Sequence, residues 1–249
     1  MLTILPDFSM YTFYTSMVGA KVEVMNKDES MEMKAEDVIE RAKACKAKLI
    51  IFSNPCNPTA LKLEREEILE IIKAVDALVV VDEAYMDFSQ GSVLDEIENY
   101  DNLIVLKTCS KAFGMAAIRL GFAAANERLT GLLHTLKAPY NVNSMTQAAG
   151  CAILEHEEFL KDCIRRIQES TQALYQGMKE LAERKKDLER LYSTATNFMY
   201  IKSARAQEIL RALREEGISV RCMNGYLRIA AGSPKENEEL LQALERILE

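Results

Sequence analysis

The amino-acid sequence predicts an α/β fold: helices cover a mostly parallel sheet in three layers, and a smaller α+β domain follows. In the first half, short apolar or β-branched runs alternate with amphipathic segments, which is typical of such a sheet. Several runs are apolar at consecutive positions, as expected of strands buried on both faces. From about Ser144 the chain becomes helical and charged, and only short strand candidates follow.

Six strands are predicted in the first half. They lie at Leu2–Leu5, Lys21–Met25, Lys48–Phe52, Ala77–Val81, Leu103–Leu106 and Leu120–Ala124. In the segment Leu63–Val75, apolar residues recur with a period of about 3.6 residues, which predicts a helix packed on the sheet. We therefore expect a large domain over residues 1–143.

Residues 144–249 are expected to form a long linking helix and a small C-terminal domain. Helical sequence runs from Ser144 to about Asp187. Strand candidates follow at Phe198–Lys202, Ile218–Cys222 and Tyr226–Ala230, with a helix candidate at Arg205–Glu216. Ser233 precedes Pro234, and Glu236 follows three residues after the serine. This is the signature of a helix N-terminus, so the last helix is expected to begin there.

Composition argues against several classes of protein. The net charge is −7, whereas a nucleic-acid partner requires a basic stripe. No apolar run approaches the length of a transmembrane helix, and no secretory signal is visible. None of the six cysteines forms a CxxC pair, and His134 and His156 lack ligand spacing, so no metal site is predicted. Free thiols favour a cytoplasmic location, and Cys56 and Cys109 are expected to be small buried side chains.

Polar side chains follow three consecutive predicted strands. They are Asn57 after the third strand, Asp82 and Tyr85 after the fourth, and Thr108, Ser110 and Lys111 after the fifth, with Arg119 just before the sixth. Because ligands bind beyond the carboxyl ends of strands in such sheets, we expect one shared site. Lys111 offers an amine nucleophile, and hydroxyls with a guanidinium suit a phosphate. Asp82 suits the protonated ring nitrogen of pyridoxal 5′-phosphate (PLP).

Other interpretations compete with this one. Lys111 or Arg228 taken alone would be an ordinary surface residue. Asp82-Glu83 after an apolar strand also resembles the acidic box of P-loop ATPases, but the chain has no GxxxxGK[ST] loop. Response-regulator receivers carry Asp, Thr and Lys at strand ends as well. They are much shorter, and they would leave Asn57-Pro58-Thr59 without a purpose.

In combination, the motifs resemble the fold-type I, class I and II aminotransferases, which use PLP. The resemblance rests on Asn57-Pro58-Thr59, on Asp82-x-x-Tyr85, and on Ser110-Lys111 followed by Arg119. Pro6–Tyr11 and Tyr226–Ile229 are most similar to the histidinol-phosphate aminotransferase branch. The resemblance runs over nearly the whole chain, and it implies a PLP-binding large domain with a smaller C-terminal domain.

The resemblance implies a role for each matched residue. Lys111 is the expected Schiff-base lysine and proton carrier, Asp82 the partner of the pyridine nitrogen, and Tyr85 a third catalytic residue. The remaining expected contacts are Asn57 and Tyr85 with the phenolate oxygen, Thr108, Ser110 and Arg119 with the phosphate, Phe8 with the ring face, and Arg228 and Asn57 with the substrate. Arg228 would bind the substrate through a carboxylate or a phosphate.

The implied activity is transamination of an amino acid or an amino-phosphate such as histidinol phosphate, in histidine or other amino-acid biosynthesis. The expected partner pair is 2-oxoglutarate and glutamate, and the expected assembly is a homodimer. Two alternatives stay open. Threonine-phosphate decarboxylases share this fold and most of these motifs, and a PLP-fold protein without turnover would share them too.

Two departures from the family pattern carry expectations of their own. Ala60 stands where the family usually has glycine, so we expect a small local adjustment of the backbone. Family members also carry a segment before the position of Leu2, with a strand and a glycine-containing turn that binds the phosphate. The resemblance implies that this sequence lacks that segment. Lower PLP affinity, an open sheet edge and an exposed apolar patch would follow.

Overall fold

Six strands form the large sheet in the computed structural model, which describes residues 1–249. They are β1 (Leu2–Leu5), β2 (Glu23–Asn26), β3 (Leu49–Ser53), β4 (Leu78–Asp82), β5 (Leu103–Thr108) and β6 (Gly121–Ala124). The order across the sheet is β2-β1-β3-β4-β5-β6. β1 to β5 run parallel, and β6 pairs with β5 in the antiparallel sense. All six predicted strands are confirmed, with small shifts at their ends.

Helices cover both faces of this sheet. The helices of this half are α1 (Met10–Met17), α2 (Ala35–Ala44), α3 (Arg65–Ala74) and α4 (Glu127–Leu136). Val79 and Val81 of β4 belong to the core shared with α2 and α3, whereas Val80 packs with Leu129 of α4. Alternate residues of one strand thus enter two different cores, which explains the run of consecutive apolar residues.

The helical segment that links the two sheets is broken, which corrects the prediction of one long helix. It consists of α5 (Ser144–Leu154) and α6 (Glu157–Arg184). His156 leaves the helical region with φ −107° and ψ 52°, and α6 starts with Glu157 and Glu158. Acidic side chains stabilise a helix N-terminus through the helix dipole, so this acidic cluster favours a new start there.

The small sheet contains four antiparallel strands. They are β7 (Arg190–Leu191), β8 (Phe198–Lys202), β9 (Arg221–Met223) and β10 (Tyr226–Ala230), in the order β7-β8-β10-β9. α7 (Ala206–Glu215) and α8 (Pro234–Ile247) pack on it with α6. Ser233 and Glu236 form the expected capping box. The two sheets lie on either side of the predicted domain boundary, and the exact boundary stays a prediction.

β9 begins at Arg221, three residues later than the predicted strand Ile218–Cys222. The short strand β7 was not predicted. Gly217 has φ 79°, and the Ile218 N–H donates to the Leu213 carbonyl at 2.8 Å. Ile218 therefore closes the end of α7 and cannot begin a strand. No helix in the structure combines the length and the apolar character needed to span a bilayer.

Candidate functional site

A cleft of about 820 Å³ lies between one end of the large sheet and the small sheet. The segment after β1 forms one wall, including Asp7 and Phe8, and Asn57-Pro58 adjoins it. Arg221 and Arg228 come from the small sheet. The parallel strands bring their carboxyl ends to this edge, as the sequence predicted.

Asp82 ends β4 and is held by two donors. The hydroxyl of Tyr11 donates to Asp82 Oδ2 at 2.6 Å, and the Ala84 N–H donates to Oδ1 at 3.0 Å. Burial raises the pKa of Asp82 above its ordinary value, while these two hydrogen bonds and the positive charge of Lys111 oppose the rise. Burial, and then the negative charge of Asp82, raise the pKa of Tyr11 far above that of a free phenol. Tyr11 therefore remains a neutral donor.

Lys111 lies beside Tyr85. Tyr85 follows Asp82 by three residues in the sequence. The Nζ of Lys111 is 5.3 Å from the centre of the Tyr85 ring. The Tyr85 ring meets Phe198 of β8 edge-on, with 5.1 Å between ring centres. Lys111 is exposed, whereas Tyr85 is buried. Lys111 is thus accessible to a ligand while it lies against a packed aromatic pair.

Arg228 joins the small sheet to Asn57. Its Nη1 donates to Asn57 Oδ1, and its guanidinium carbon lies 4.7 Å from the centre of the Phe198 ring. Burial, the main influence, lowers the pKa of Arg228, although a guanidinium keeps its proton in proteins. Arg221 lies opposite Arg228 across β9 and β10. Both arginines line the cleft, so this wall suits an anion.

Asn57 is also tied to the large sheet through a chain of hydrogen bonds. The Asn57 N–H donates to Ser53 Oγ at 3.0 Å, and the Ser53 hydroxyl donates to Asp7 Oδ1. The Ser53 N–H donates to Asp7 Oδ2 at 3.0 Å. Asp7 is the second residue after β1 and Ser53 ends β3, so neighbouring parallel strands hold the turn that carries Asn57.

The predicted phosphate donors lie at the end of β5 and in the loop that connects β5 to β6. Thr108 pairs with Gly121 across these strands. The Ser110 N–H donates to Thr108 Oγ1 at 3.1 Å. Arg119 is exposed, adopts the left-handed conformation with φ 56°, and donates to the Ala116 carbonyl at 2.8 Å. Left-handed backbone at a residue other than glycine is strained and is often found at functional sites.

Phe8 and Ala60 differ in their exposure. The Phe8 ring is 42% exposed, lines the cleft, and meets Tyr11 edge-on at 5.5 Å. Ala60 is fully buried with φ 64°, the conformation that favours glycine. Its methyl group belongs to the core cluster of Tyr85 and Phe198. The structure therefore keeps a positive φ at this alanine.

The structure also gives Glu83 and the two cysteines of the motifs a structural role. Glu83 is fully buried, accepts hydrogen bonds from Ser92 Oγ at 2.6 Å and Val93 N–H at 2.8 Å, and thus anchors a loop away from the cleft. Cys56 and Cys109 are buried free thiols, as expected, and burial raises the pKa of Cys109. No group of His, Cys, Asp or Glu side chains has metal-binding geometry.

Several residues of this region were given no role by sequence reasoning. They are Asp7, Tyr11, Ser53 and Arg221. Asp7 and Tyr11 fall within the Pro6–Tyr11 motif, and Ser53 precedes the Asn57 motif, so local sequence indicates their positions. It does not indicate their partners, because Ser53 pairs with Asp7 and Tyr11 with Asp82 across segments far apart in sequence.

The donor set fits PLP. Asp82 offers a half-buried carboxylate whose oxygens each accept one hydrogen bond and have a lone pair for another. Lys111 offers an exposed amine close to it. Ser110 and Arg119 offer hydroxyl and guanidinium donors on the adjoining loop, which suit a phosphate. The fold and this set of side chains define the class of PLP-dependent transferases.

Comparison with known proteins identifies the family. Residues 2–244 match the family model "Aminotransferase class I and II", and the chain belongs to that family. The histidinol-phosphate aminotransferase of Clostridium kluyveri is 40% identical over an alignment 252 residues long. This alignment covers 99% of this chain and 70% of that protein. The predicted class of enzyme, a PLP-dependent aminotransferase most similar to histidinol-phosphate aminotransferases, is thereby confirmed.

Solved structures support the fold. The histidinol-phosphate aminotransferase of Clostridium acetobutylicum aligns with a TM-score of 0.90 at 22% identity, covering 99% of this chain and 77% of that one. The Sinorhizobium meliloti enzyme, in complex with pyridoxal-5′-phosphate, gives 0.86 at 21% identity, covering 99% and 69%. The L-threonine-O-3-phosphate decarboxylase of Porphyromonas gingivalis gives 0.84 at 24%, covering 99% and 76%. The predicted fold class is confirmed.

Asp7 is expected to make the stability of the protein depend on pH. Burial raises the pKa of Asp7 from 3.8 to about 6, against the opposing charge of Lys27 and the hydrogen bonds from Ser53 and Phe8. The folded state therefore holds this proton more tightly than the unfolded state. The resulting stability is fully present below pH 3.8 and is lost as the pH rises through about 6.

The measurement compares the free energy of unfolding of the wild type with that of Asp7→Asn. Between about pH 4 and pH 7, the wild type should lose on the order of 2 kcal/mol relative to the variant. Asp37→Asn, at an exposed position of α2, is the control and should track the wild type. A constant difference between wild type and Asp7→Asn over this range would show that the Asp7 carboxyl is not perturbed.

Proposed function

We propose that the protein transfers the amino group of an amino acid or amino-phosphate, such as histidinol phosphate, to a 2-oxo acid such as 2-oxoglutarate. The observation that carries the proposal is the meeting of Lys111, Asp82 and Tyr85 beside a cleft lined by Arg221 and Arg228. The family supports the class of reaction. The amino donor and the partner pair are part of the proposal.

Lys111 and Asp82 carry the chemistry in this proposal. When bound, PLP supplies an electron sink for the electron pair left on the substrate's Cα. Lys111 Nζ would hold the cofactor covalently and would move a proton to and from the substrate's Cα. Asp82 would accept a hydrogen bond from the protonated ring nitrogen and so keep the proton there. Burial strengthens this interaction because few water molecules compete for the carboxylate.

The other residues bind and orient. Asn57 and Tyr85 would donate to the phenolate oxygen, and the Phe8 ring would cover the cofactor ring. Thr108, Ser110 and Arg119 would hold the phosphate. All three take part in local hydrogen bonds, so this segment is ordered before the phosphate arrives, and little entropy is lost on binding.

Arg228 is the proposed anchor of the substrate's anionic group, assisted by Asn57 and the neighbouring Arg221. A carboxylate or phosphate oxygen would replace Asn57 Oδ1 as an acceptor for Arg228. The two guanidinium groups repel each other across the strand pair, and the charge of Arg221 acts on Arg228. An anion placed between them relieves this repulsion, so a doubly charged phosphate is favoured.

The attachment of the cofactor to Lys111 can be tested by chemical trapping. PLP is added in excess, the protein is reduced with borohydride, and the labelled peptide is identified by mass spectrometry. We expect the label on Lys111 and its loss in Lys111→Ala. Lys137→Ala, at an exposed position after α4, is the control and should keep the label. A label on another lysine would contradict the assignment.

The reaction is tested with histidinol phosphate and 2-oxoglutarate. Glutamate formation is expected, and Arg228→Gln should raise the KM for the phosphorylated donor about 10- to 100-fold, because a charged hydrogen bond of ~1.5–3 kcal/mol is lost. Arg211→Gln, on the exposed side of α7, is the matched control. An unchanged KM in Arg228→Gln would exclude this anchoring role, and absence of glutamate would contradict the transaminase.

A second candidate is a decarboxylase that acts on threonine phosphate. The structural similarity to the Porphyromonas gingivalis decarboxylase favours it, and its substrate also carries a phosphate. The two candidates differ in which bond to Cα breaks. Release of CO₂ from threonine phosphate, without glutamate formation from 2-oxoglutarate, would favour the decarboxylase. A bound cofactor with neither product would favour a PLP-fold protein without turnover.

We also propose association into a homodimer in the cytoplasm. β6 is an edge strand with Phe122 exposed, and α1 exposes Phe13, Tyr14 and Met17. Apolar surface of this kind favours association, and a sedimentation mass of two chains would support it. All six cysteines are free, which suits a reducing compartment.

A further inference from the structure

Tyr11 contacts two of the groups that the proposed function assigns to the cofactor. Its hydroxyl lies 2.6 Å from Asp82 Oδ2, and its ring lies edge-on to Phe8 with 5.5 Å between centres. Tyr11 itself is only 7% exposed and sits on the first turn of α1. One side chain therefore supports both the expected partner of the ring nitrogen and the expected stacking ring.

The hydrogen bond fixes the orientation of the Asp82 carboxylate. The Ala84 N–H donates to one oxygen and Tyr11 donates to the other, so rotation of the carboxylate would break both bonds. The titratable groups that face Asp82 are Tyr11 from α1 and Lys111 from the loop after β5. Only Tyr11 makes a side-chain hydrogen bond to it.

The direction of this bond is also fixed. Burial and the charge of Asp82 raise the pKa of Tyr11, so the phenol keeps its proton and Asp82 must be the acceptor. Burial alone would favour a neutral Asp82. The Tyr11 hydroxyl opposes this, because it stabilises the ionised carboxylate that a protonated ring nitrogen requires.

We propose that Tyr11 is a positioning residue that keeps Asp82 ionised and aimed at the ring nitrogen, and that braces Phe8 against the ring face. The proposal rests on the proposed function, because it assumes that Asp82 and Phe8 contact the cofactor. Tyr11 itself does not touch the reacting atoms.

Tyr11→Phe removes the hydroxyl and keeps the ring that supports Phe8, so it separates the two contacts. Tyr140→Phe is the matched control: it removes the same hydroxyl from a tyrosine that is 98% exposed, and it should behave as the wild type. The first measurement is a pH titration of the Asp82 carboxyl group. It is monitored by ¹³C NMR on the full chain without cofactor. We expect the pKa of Asp82 to rise by about 1 in Tyr11→Phe. An unchanged Asp82 titration would overturn the proposal.

The second measurement is the affinity for PLP, determined by fluorescence titration. Tyr11→Phe should weaken it about tenfold and should lower kcat more than it raises KM. In an Asp82→Asn background, Tyr11→Phe should add little, because its effect acts through the carboxylate. A full additional loss there would overturn the proposal. The NMR result does not involve the cofactor, so it distinguishes failure of the Tyr11 proposal from failure of trapping at Lys111, which would overturn the proposed function.

Discussion

The shared direction of β1 to β5 is the constraint on which the site depends. Parallel strands end at the same edge of a sheet. Residues far apart in sequence therefore meet there because of the sheet, and not because of direct contacts between them. Asp7, Ser53, Asp82 and Thr108 each stand at or just beyond the end of one of these strands. Cores on both faces hold the strands in register, and the precision of the site follows from that packing.

Burial of polar groups at this edge would be costly if they lacked partners. The structure meets this requirement by pairing groups from different segments: Asp7, just after β1, with Ser53 of β3, and Asp82 of β4 with Tyr11 of α1. Each pair joins segments that the sheet already brings together, so few further residues are immobilised. The same pairs hold Asn57 and Asp82, so the contacts that satisfy buried groups also set the positions of the proposed functional residues.

Much of the fold and of the site could be predicted from local sequence. The strand at Ala77–Val81 was evident because it is apolar throughout, and Lys111 and Asp82 were evident because they follow strands. The break at His156 was missed, because helical periodicity continues on both sides of it and the acidic start of α6 was not weighed. Tyr11 and Asp7 were missed for another reason. Their importance lies in partners on other strands, Asp82 and Ser53, and no local pattern specifies such a pair.

The reversed direction of β6 has a consequence for the phosphate loop. A sixth parallel strand would need a crossover connection, usually a helix, and its beginning would lie at the far edge of the sheet. Because β6 is antiparallel, its first residue, Gly121, pairs directly with Thr108. Both ends of the loop between these two residues are therefore fixed by the pairing of β5 with β6. Arg119 therefore lies in a short loop whose two ends are held together. An insertion or deletion in this loop would disturb its backbone far more than the substitution of a side chain would.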